Sequence, residues 1–290
     1  MVVIWALALL AATAAALTSA SRTAALIAAN GIDNAAAEAL ADAGVRLTML
    51  NLGRFLAAPG TIAPLAVDGT ARACRIADLG RVSLAIVSET GKVDLNTASD
   101  ALLTRLLAGV GGRDLDAAGR TDKIGDFRDA DDLRRLNGAE AEDYHRAGLT
   151  GGPKNAPFDA VEELGQVLGL APDLAARLRP LVTVHSGASG IDPRLASPAL
   201  LRALTAQFGP GSTDAPADPN ALPPAFASLT APSVFLIRAV AETPAGARYV
   251  REAIVEVTDA KRQKLEIRRW YRGEGEGGLA VARPQQVPAC

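Results

Sequence analysis

One stretch of the chain has carboxylates at the spacing of a cation-binding loop. Counted from Asp129 as position 1, Asp131 stands at position 3, Asn137 at position 9 and Glu140 at position 12. Oxygen donors at such offsets are what a hard cation such as Ca²⁺ requires of one loop. The EF-hand loop itself is excluded, because leucine and arginine occupy its fifth and sixth positions. The spacing therefore predicts a calcium site of a different geometry.

The same acidic residues also have a purely structural interpretation. Asp129, Asp131 and Asp132 could cap a following helix, since aspartate is a preferred N-cap residue. They would then lie in solvent beside the arginines of the same stretch, in weak ion pairs. Those arginines are Arg128, Arg134 and Arg135. The residues alone leave both interpretations open.

Patterns typical of catalysis are not found elsewhere in the sequence. The two histidines, His145 and His185, lack the cysteine or carboxylate spacing of a zinc site. No GxSxG, P-loop or Rossmann fingerprint occurs. We therefore predict no catalytic residue and a protein that is not an enzyme.

Two helical units flank the acidic stretch. Thr97 and Asp100 predict a reciprocal cap for a leucine-rich helix, and helices are predicted over 160–168 and 172–178 with a turn at Gly169. Both units resemble helix-hairpin-helix or SAM-like modules, whose glycine turn can present N–H groups to a phosphate. Residues 93–185 carry 16 Asp+Glu against 11 Lys+Arg, a balance of -5 that would repel a phosphate backbone. This balance favours structural packing, and no nucleic acid is expected.

The N-terminal residues are typical of a membrane segment. No charged side chain occurs over residues 2–20, and about 20 apolar helical residues span the roughly 30 Å hydrocarbon layer. A cleaved signal peptide is the alternative, because the Ala-rich end of the run, Ala11 to Ser21, offers small residues for cleavage. The basic leader of a signal is missing, so we expect that the natural start lies earlier or that the leader was trimmed. Apolar residues then recur at helical spacing over 21–56, which predicts one long helix, first membrane-embedded and then amphipathic.

Strand patterns lie on both sides of the helical block. They occur at 71–76 and 81–88 before it, and at 233–241, 249–258 and 265–271 after it. This order predicts an α+β fold, in which a small sheet domain built from both ends carries an inserted all-α domain. The predicted parts are the N-terminal helix (1–57), the first part of the sheet domain (58–94), the inserted α-domain (95–185), the second part of the sheet domain (186–272) and a mobile tail (273–290).

Overall composition bears on the partners and the compartment. The formal charge of -2 and the sequence pI near 5.8 argue against a nucleic-acid-binding protein. The two cysteines, Cys74 and Cys290, can form one disulfide in an oxidising compartment or remain two unpaired thiols. The sequence leaves this pairing open.

Several phrases of the sequence, taken in order, resemble a known family. They are AEALADAGVRL (37–47), GKVDLNTAS (91–99), DFRDADD (126–132), GAEAEDY (138–144) and KNAPFDAVEELGQVLGL (154–170). In this order they resemble the K-type minor pseudopilin of type II secretion, in the general secretion pathway protein K family. The resemblance implies a type IV pilin-like fold: a long N-terminal helix, a small antiparallel sheet and a large inserted α-domain.

The resemblance also implies a function. Members of this family lie at the tip of a short periplasmic pseudopilus, bind other minor pseudopilins and the assembly platform, and support protein export across the outer membrane. The chain would then be a structural protein of the bacterial inner membrane, with one membrane pass and a periplasmic body. The family's Ca²⁺ binding maps here to four residues: Asp129, Asp131, Asp132 and Glu140.

Two alternatives from other classes follow from the same residues. NTAS followed by a leucine-rich hairpin also resembles the DNA-binding module of competence proteins, which would make the chain a membrane-tethered helix-hairpin-helix DNA receptor. A calcium-dependent hydrolase would require an acid/base pair that the sequence does not identify.

Overall fold

The computed structural model describes residues 1–57, 66–111, 116–205, 218–229, 233–259, 264–273 and 290. The helices are α1 (Val2–Ala57), α2 (Asp100–Gly111), α3 (Ala117–Arg128), α4 (Ala141–Arg146), α5 (Pro172–Leu178) and α6 (Pro198–Thr205). The strands are β1 (Arg72–Ile76), β2 (Gly80–Ser88), β3 (Val93–Asp94), β4 (Val182–Thr183), β5 (Val234–Glu242), β6 (Arg248–Asp259) and β7 (Lys264–Arg272). The predicted tail lies outside the described residues, except for Cys290 and Gly273.

Helix α1 is continuous over 56 residues, as predicted. At 1.5 Å per residue it is about 84 Å long. Its buried residues begin at Ala37 and recur on one face as far as Gly53, so only its C-terminal third packs against the rest of the chain. Gly44 permits close packing there, since a Cβ atom at this position would lie 2.8 Å from Cγ1 of Val82.

The five longer strands form one antiparallel sheet in the order β1-β2-β5-β6-β7. Each corresponds to a predicted strand, with ends that agree within one or two residues. Alternating apolar residues of β2, β5 and β6 face α1 and form the first core, which includes Leu40, Val45, Val82, Ile237 and Val255. The α+β pilin-like fold class is thereby confirmed.

A buried arginine adds a polar attachment between α1 and the sheet. Arg251 on β6 is only 7% exposed and donates to Glu38 and Asp42 of α1, at 2.6 Å in each case. Its guanidinium also stacks over the rings of Tyr249 and Trp270, 5.0 and 5.3 Å from the two centroids. Because a buried charge requires pairing, this contact fixes where α1 meets the sheet.

The helical region is inserted between two neighbouring strands. β2 pairs with β5 from Ser88↔Phe235 to Arg81↔Glu242, so the chain leaves the sheet after β2 and returns beside it. At the base of the insertion β3 pairs in parallel with β4, through Val93↔Val182. The Asp192 N–H also donates to the Thr90 carbonyl at 2.8 Å. These contacts hold the two ends of the helical region together.

The insertion has its own hydrophobic core. Leucines of α2 form its centre, and Phe127 stacks on Phe158 with ring centroids 4.9 Å apart. The core continues past residue 185 to Leu200, Leu204 and Leu222, residues that the predicted division assigns to the second part of the sheet domain. The five-part division of the chain remains a prediction.

Two local predictions in the helical region are wrong. Helix α2 is capped by Ser99, whose Oγ accepts from the Leu102 N–H, because Asp94 already accepts from the N–H groups of Asn96 and Thr97 in an Asx turn. The predicted α-helix over 160–168 is a 3₁₀ segment, Val161–Gln166. Gly165 inside this segment disfavours an α-helix.

The two cysteines form a disulfide between Cys74 of β1 and Cys290, with Cα atoms 4.9 Å apart. The Cys290 N–H also donates to the carbonyl of Arg75 at 3.0 Å. The structure thus settles the pairing that the sequence leaves open, and it attaches the last residue to the edge strand.

Candidate functional site

The N-terminal part of α1 is the first candidate functional surface. Among the described residues, α1 is the one helix whose length and apolar composition would suit a membrane crossing. The side chains before Ala37 are exposed, with Asp33 half-buried, and they include Trp5, Leu10, Leu26 and Ile27. An exposed apolar rod of this kind can be stable only in lipid or against other helices.

The acidic stretch, the second candidate, connects α3 to α4. Helix α3 ends at Arg128, where Asp129 is the C-cap, and α4 begins at Ala141 after Glu140. Asp131 accepts a hydrogen bond from the Leu133 N–H at 2.9 Å, which folds the loop back on itself. The residues between Asp129 and Glu140 form no helix. The interpretation in which the aspartates cap a following helix is therefore wrong.

We call Asp126, Asp129, Asp131, Asp132 and Glu140 the acidic cluster. Its most buried member is Asp126, on the last turn of α3. This side chain is 0% exposed, and its carboxylate accepts from the Arg135 N–H at 3.2 and 3.3 Å. Gly138 makes room for it, since a Cβ atom at this position would lie 1.9 Å from Asp126 Oδ2. Burial raises the pKa of Asp126, because the charged carboxylate loses its hydration in the folded chain.

Glu140 is the most unusual residue of the cluster. It is 8% exposed, and both of its carboxylate oxygens are buried without a hydrogen-bond partner. At the N-terminus of α4, the Asp143 side chain accepts a hydrogen bond from the Glu140 N–H, at 3.1 Å from N to Oδ2. Burial, followed by the charges of Asp126, Asp129, Asp132 and Asp131, raises the pKa of Glu140 to about 7.

Two further oxygens complete the donor set. Asp129 Oδ1 is buried without a partner, and burial together with Asp131 raises the pKa of Asp129. Asn155 reaches the cluster from a distant segment: its amide nitrogen donates to Asp132 Oδ1 at 2.8 Å, while its Oδ1 is buried without a partner. Unpaired buried oxygens are costly, which is why such a group favours a bound cation.

Arg135 is the cation nearest to these carboxylates. Its Nη1 lies 2.8 Å from Asp100 Oδ2, and its Nε lies 3.6 Å from Asp126 Oδ1 and 3.8 Å from Asp129 Oδ2. No ion pair between Arg135 and Glu140 occurs in the part of the chain that the structure describes. The guanidinium of Arg135 thus offsets the negative charge of Asp126 and Asp129 but not that of Glu140.

The oxygen donors of the acidic cluster are of the type that a hard cation binds, but their positions in the structure do not form a coordination shell. Carboxylate and amide oxygens are the ligands that Ca²⁺ prefers. Within the described ranges, however, no three His, Cys, Asp or Glu side chains already surround one point closely enough to hold a metal ion. Binding would therefore require side-chain rotations within the loop.

Asp129, Asp131 and Asp132 lie near enough to Glu140 for their charges to raise its pKa, but among the described residues the four predicted ligands do not surround one point closely enough to hold a metal ion. The amide at position 9 lies elsewhere: Asn137 donates from both N–H and Nδ2 to Asp122 Oδ2, at 3.0 and 3.1 Å. Sequence reasoning missed Asp126 and Asn155. Asp126 stands only three residues before Asp129 in the sequence, which could have indicated the first.

The other sequence candidates occupy ordinary structural positions. His145 is exposed on α4. His185 is half-buried beside Glu89, and burial lowers its pKa. At the glycine turn of the second helical unit Gly169 has a φ of +77°, and Lys123 Nζ would lie 3.0 Å from a Cβ atom there.

Comparisons with known proteins cover both parts of the fold. Residues 80–187 match the family model of "Type II secretion system (T2SS), protein K". The chain is also similar to one in the crystal structure of the GspK-GspI-GspJ complex from the enterotoxigenic Escherichia coli Type 2 Secretion System, with a TM-score of 0.58 and 15% identity. That similarity covers 88% of this chain and 99% of the other, and at this identity it shows the fold. No protein of curated function matches the chain in sequence.

Proposed function

We propose that this chain, a member of the type II secretion system protein K family over residues 80–187, is a minor pseudopilin. The role is structural: the chain supports protein export as a subunit of an assembly. One observation carries the proposal. A single helix combines a fully exposed apolar half with a half that packs on the sheet.

The exposed half of α1 defines the kind of partner. Outside the bilayer it requires helices of similar character, since apolar side chains in water are covered by association. The solved complex named above contains GspK, GspI and GspJ together. By analogy we infer that this chain assembles with other minor pseudopilins and with the inner-membrane platform on which a pseudopilus is built.

The inserted domain supports a position at the end of the filament. Its helices project from between β2 and β5, so it adds bulk beside the compact sheet on α1. A subunit inside a helical filament must be covered by neighbours above and below. A large projection obstructs such stacking, which favours the tip.

The disulfide supports a periplasmic body. Structural disulfides form in oxidising compartments, including the bacterial periplasm. Placement of Cys74 and Cys290 outside the cytoplasm agrees with an N-terminal anchor in the inner membrane. No specific observation favours the DNA receptor, and the local charge of -5 over residues 93–185 opposes it.

Replacing Leu26 and Ile27 with glutamate should prevent assembly without releasing the protein from the membrane. Both residues are exposed on α1 beyond the uncharged run, so the added charges would face a partner helix. Co-purification of the full chain with other minor pseudopilins from detergent-solubilised membranes should fall at least tenfold, since one buried unpaired charge costs several kcal/mol. The matched control is Ala25→Glu with Ala28→Glu, which adds the same two charges at exposed positions on the opposite side of the helix. Unchanged recovery of partners with the variant at 26 and 27 would contradict the proposed interface.

We further propose that the acidic cluster binds Ca²⁺ through Asp129, Asp131, Asp132 and Glu140, with Asp126 beneath them. The support is the set of buried oxygens without partners, together with the burial and the neighbouring carboxylate charges that raise the pKa of Glu140 to about 7. A divalent cation would satisfy both. It would join α3 to α4 and thereby stabilise the inserted domain.

Calcium should raise the melting temperature of the full chain in detergent. At a concentration 100-fold above the Kd, binding adds about 2.7 kcal/mol, or about 5–10 °C for a protein of this size. Glu140→Gln should abolish most of the difference between CaCl₂ and EDTA. Glu142→Gln is the matched control, because that side chain is exposed on α4 and pairs with Arg146. Equal melting temperatures in CaCl₂ and EDTA would disprove the calcium site.

A further inference from the structure

Arg135 is placed where it can act on the acidic cluster. Its guanidinium contacts Asp100 outside the cluster and lies within 4 Å of two cluster carboxylates, Asp126 and Asp129. Its backbone N–H separately donates to Asp126, so the arginine remains beside the cluster whichever way the side chain turns.

A guanidinium and a divalent cation compete for the same carboxylates. Two positive groups near one oxygen repel each other, and inside a protein the repulsion is stronger than in water. We propose that Arg135 is an intramolecular competitor that lowers the calcium affinity of the cluster and must turn towards Asp100 when Ca²⁺ binds. This inference rests on the calcium site proposed above.

Glu140 shows that the arginine is an incomplete substitute for a metal ion. Both of its oxygens are buried and without a hydrogen-bond partner, although Arg135 lies beside the neighbouring aspartates. A cation held by several carboxylates at once would satisfy Glu140 as well. The structure therefore contains groups for two competing states, one paired through Arg135 and one through a divalent cation.

Gly125 creates the place that the guanidinium occupies. A Cβ atom there would lie 2.3 Å from Cζ of Arg135 and 2.5 Å from its Nε and Nη1. Because these atoms form the far end of a flexible side chain, an alanine would displace the guanidinium rather than the backbone. Alanine is also the better helix former within α3. Gly125→Ala thus moves the charge without removing it.

The test is calorimetric titration of CaCl₂ into the full chain in detergent. Arg135→Gln and Gly125→Ala should each bind Ca²⁺ about tenfold more tightly than the unmodified protein, which corresponds to about 1.4 kcal/mol. The matched control is Arg134→Gln, which removes the same charge one residue away. Arg134 is 56% exposed and pairs with Asp143 at 3.4 Å, so its loss should change the affinity less than threefold.

Whether the calcium affinity rises or falls in the variants distinguishes competition by Arg135 from simple structural support of the loop. If Arg135 only stabilised the loop, its loss would weaken calcium binding or leave it unchanged, and either result would overturn the inference. Tighter binding in Gly125→Ala supports it even where Arg135→Gln does not fold. Normal calcium binding by the unmodified protein with no gain in either variant would refute the competitor alone. Absence of binding in all four proteins would refute the calcium site and the inference together.

Discussion

Replacing Leu9 and Leu10 of α1 with arginine is expected to release the protein from the membrane. Both side chains lie in the uncharged run and are exposed in the folded chain. Each arginine near the centre of a membrane helix costs about 2.5–3.5 kcal/mol, so the pair should weaken insertion by roughly 10⁴-fold. The measurement is the fraction of the protein in membranes after an alkaline carbonate wash.

The control for this prediction uses the same charges further along the same helix. Asn34→Arg with Ala35→Arg places two arginines on exposed positions beyond the predicted span, so membrane retention should be unchanged. A double variant at 9 and 10 that remains in the washed membranes as fully as this control would contradict the assignment of α1 as the anchor.

Loss of the disulfide is expected to destabilise the folded body strongly. The bond closes a loop with a sequence separation of 216 residues, and chain-entropy estimates for loops of this length reach about 3–5 kcal/mol. The double variant Cys74→Ser, Cys290→Ser should therefore melt about 10 °C lower than the unmodified chain. Thermal unfolding followed by circular dichroism measures this difference.

A reductant supplies the internal control. It should lower the melting temperature of the unmodified chain by about the same amount and leave the serine variant unaffected. If the reduced and oxidised forms of the unmodified chain melt together, the bond does not stabilise the fold.

The sequence predicts the elements whose patterns are local. The run over 2–20 identifies by composition the helix that would suit a membrane crossing, and alternation in 81–88 and 233–241 identifies strands whose inner face is covered by α1. The insertion follows because strands flank a helical block on both sides. Helix α3 is harder to recognise, since it carries few large apolar residues and packs mainly through Ile124 and Phe127.

The acidic cluster was predictable only in part, for a related reason. Asp129, Asp131 and Glu140 belong to one loop, so their spacing is visible in the sequence. Asn155 enters from 23 residues beyond Asp132, and no local pattern marks it. The position of Arg135 over Gly125 depends on how the loop folds back on α3, which spacing alone does not determine.

The covalent link between β1 and Cys290 also determines how the chain would respond to tension. In a pull applied between the start of α1 and Cys290, the covalent path runs through residues 1–74 and then directly across the sulfur–sulfur bond. The sheet strands after β1 and the whole inserted domain lie within the closed ring, so tension could not extend this part of the chain while the bond is intact. At about 3.3–3.6 Å per residue, only the first 74 residues could be drawn out straight, which would remove α1 and β1 from the sheet but leave the ring closed.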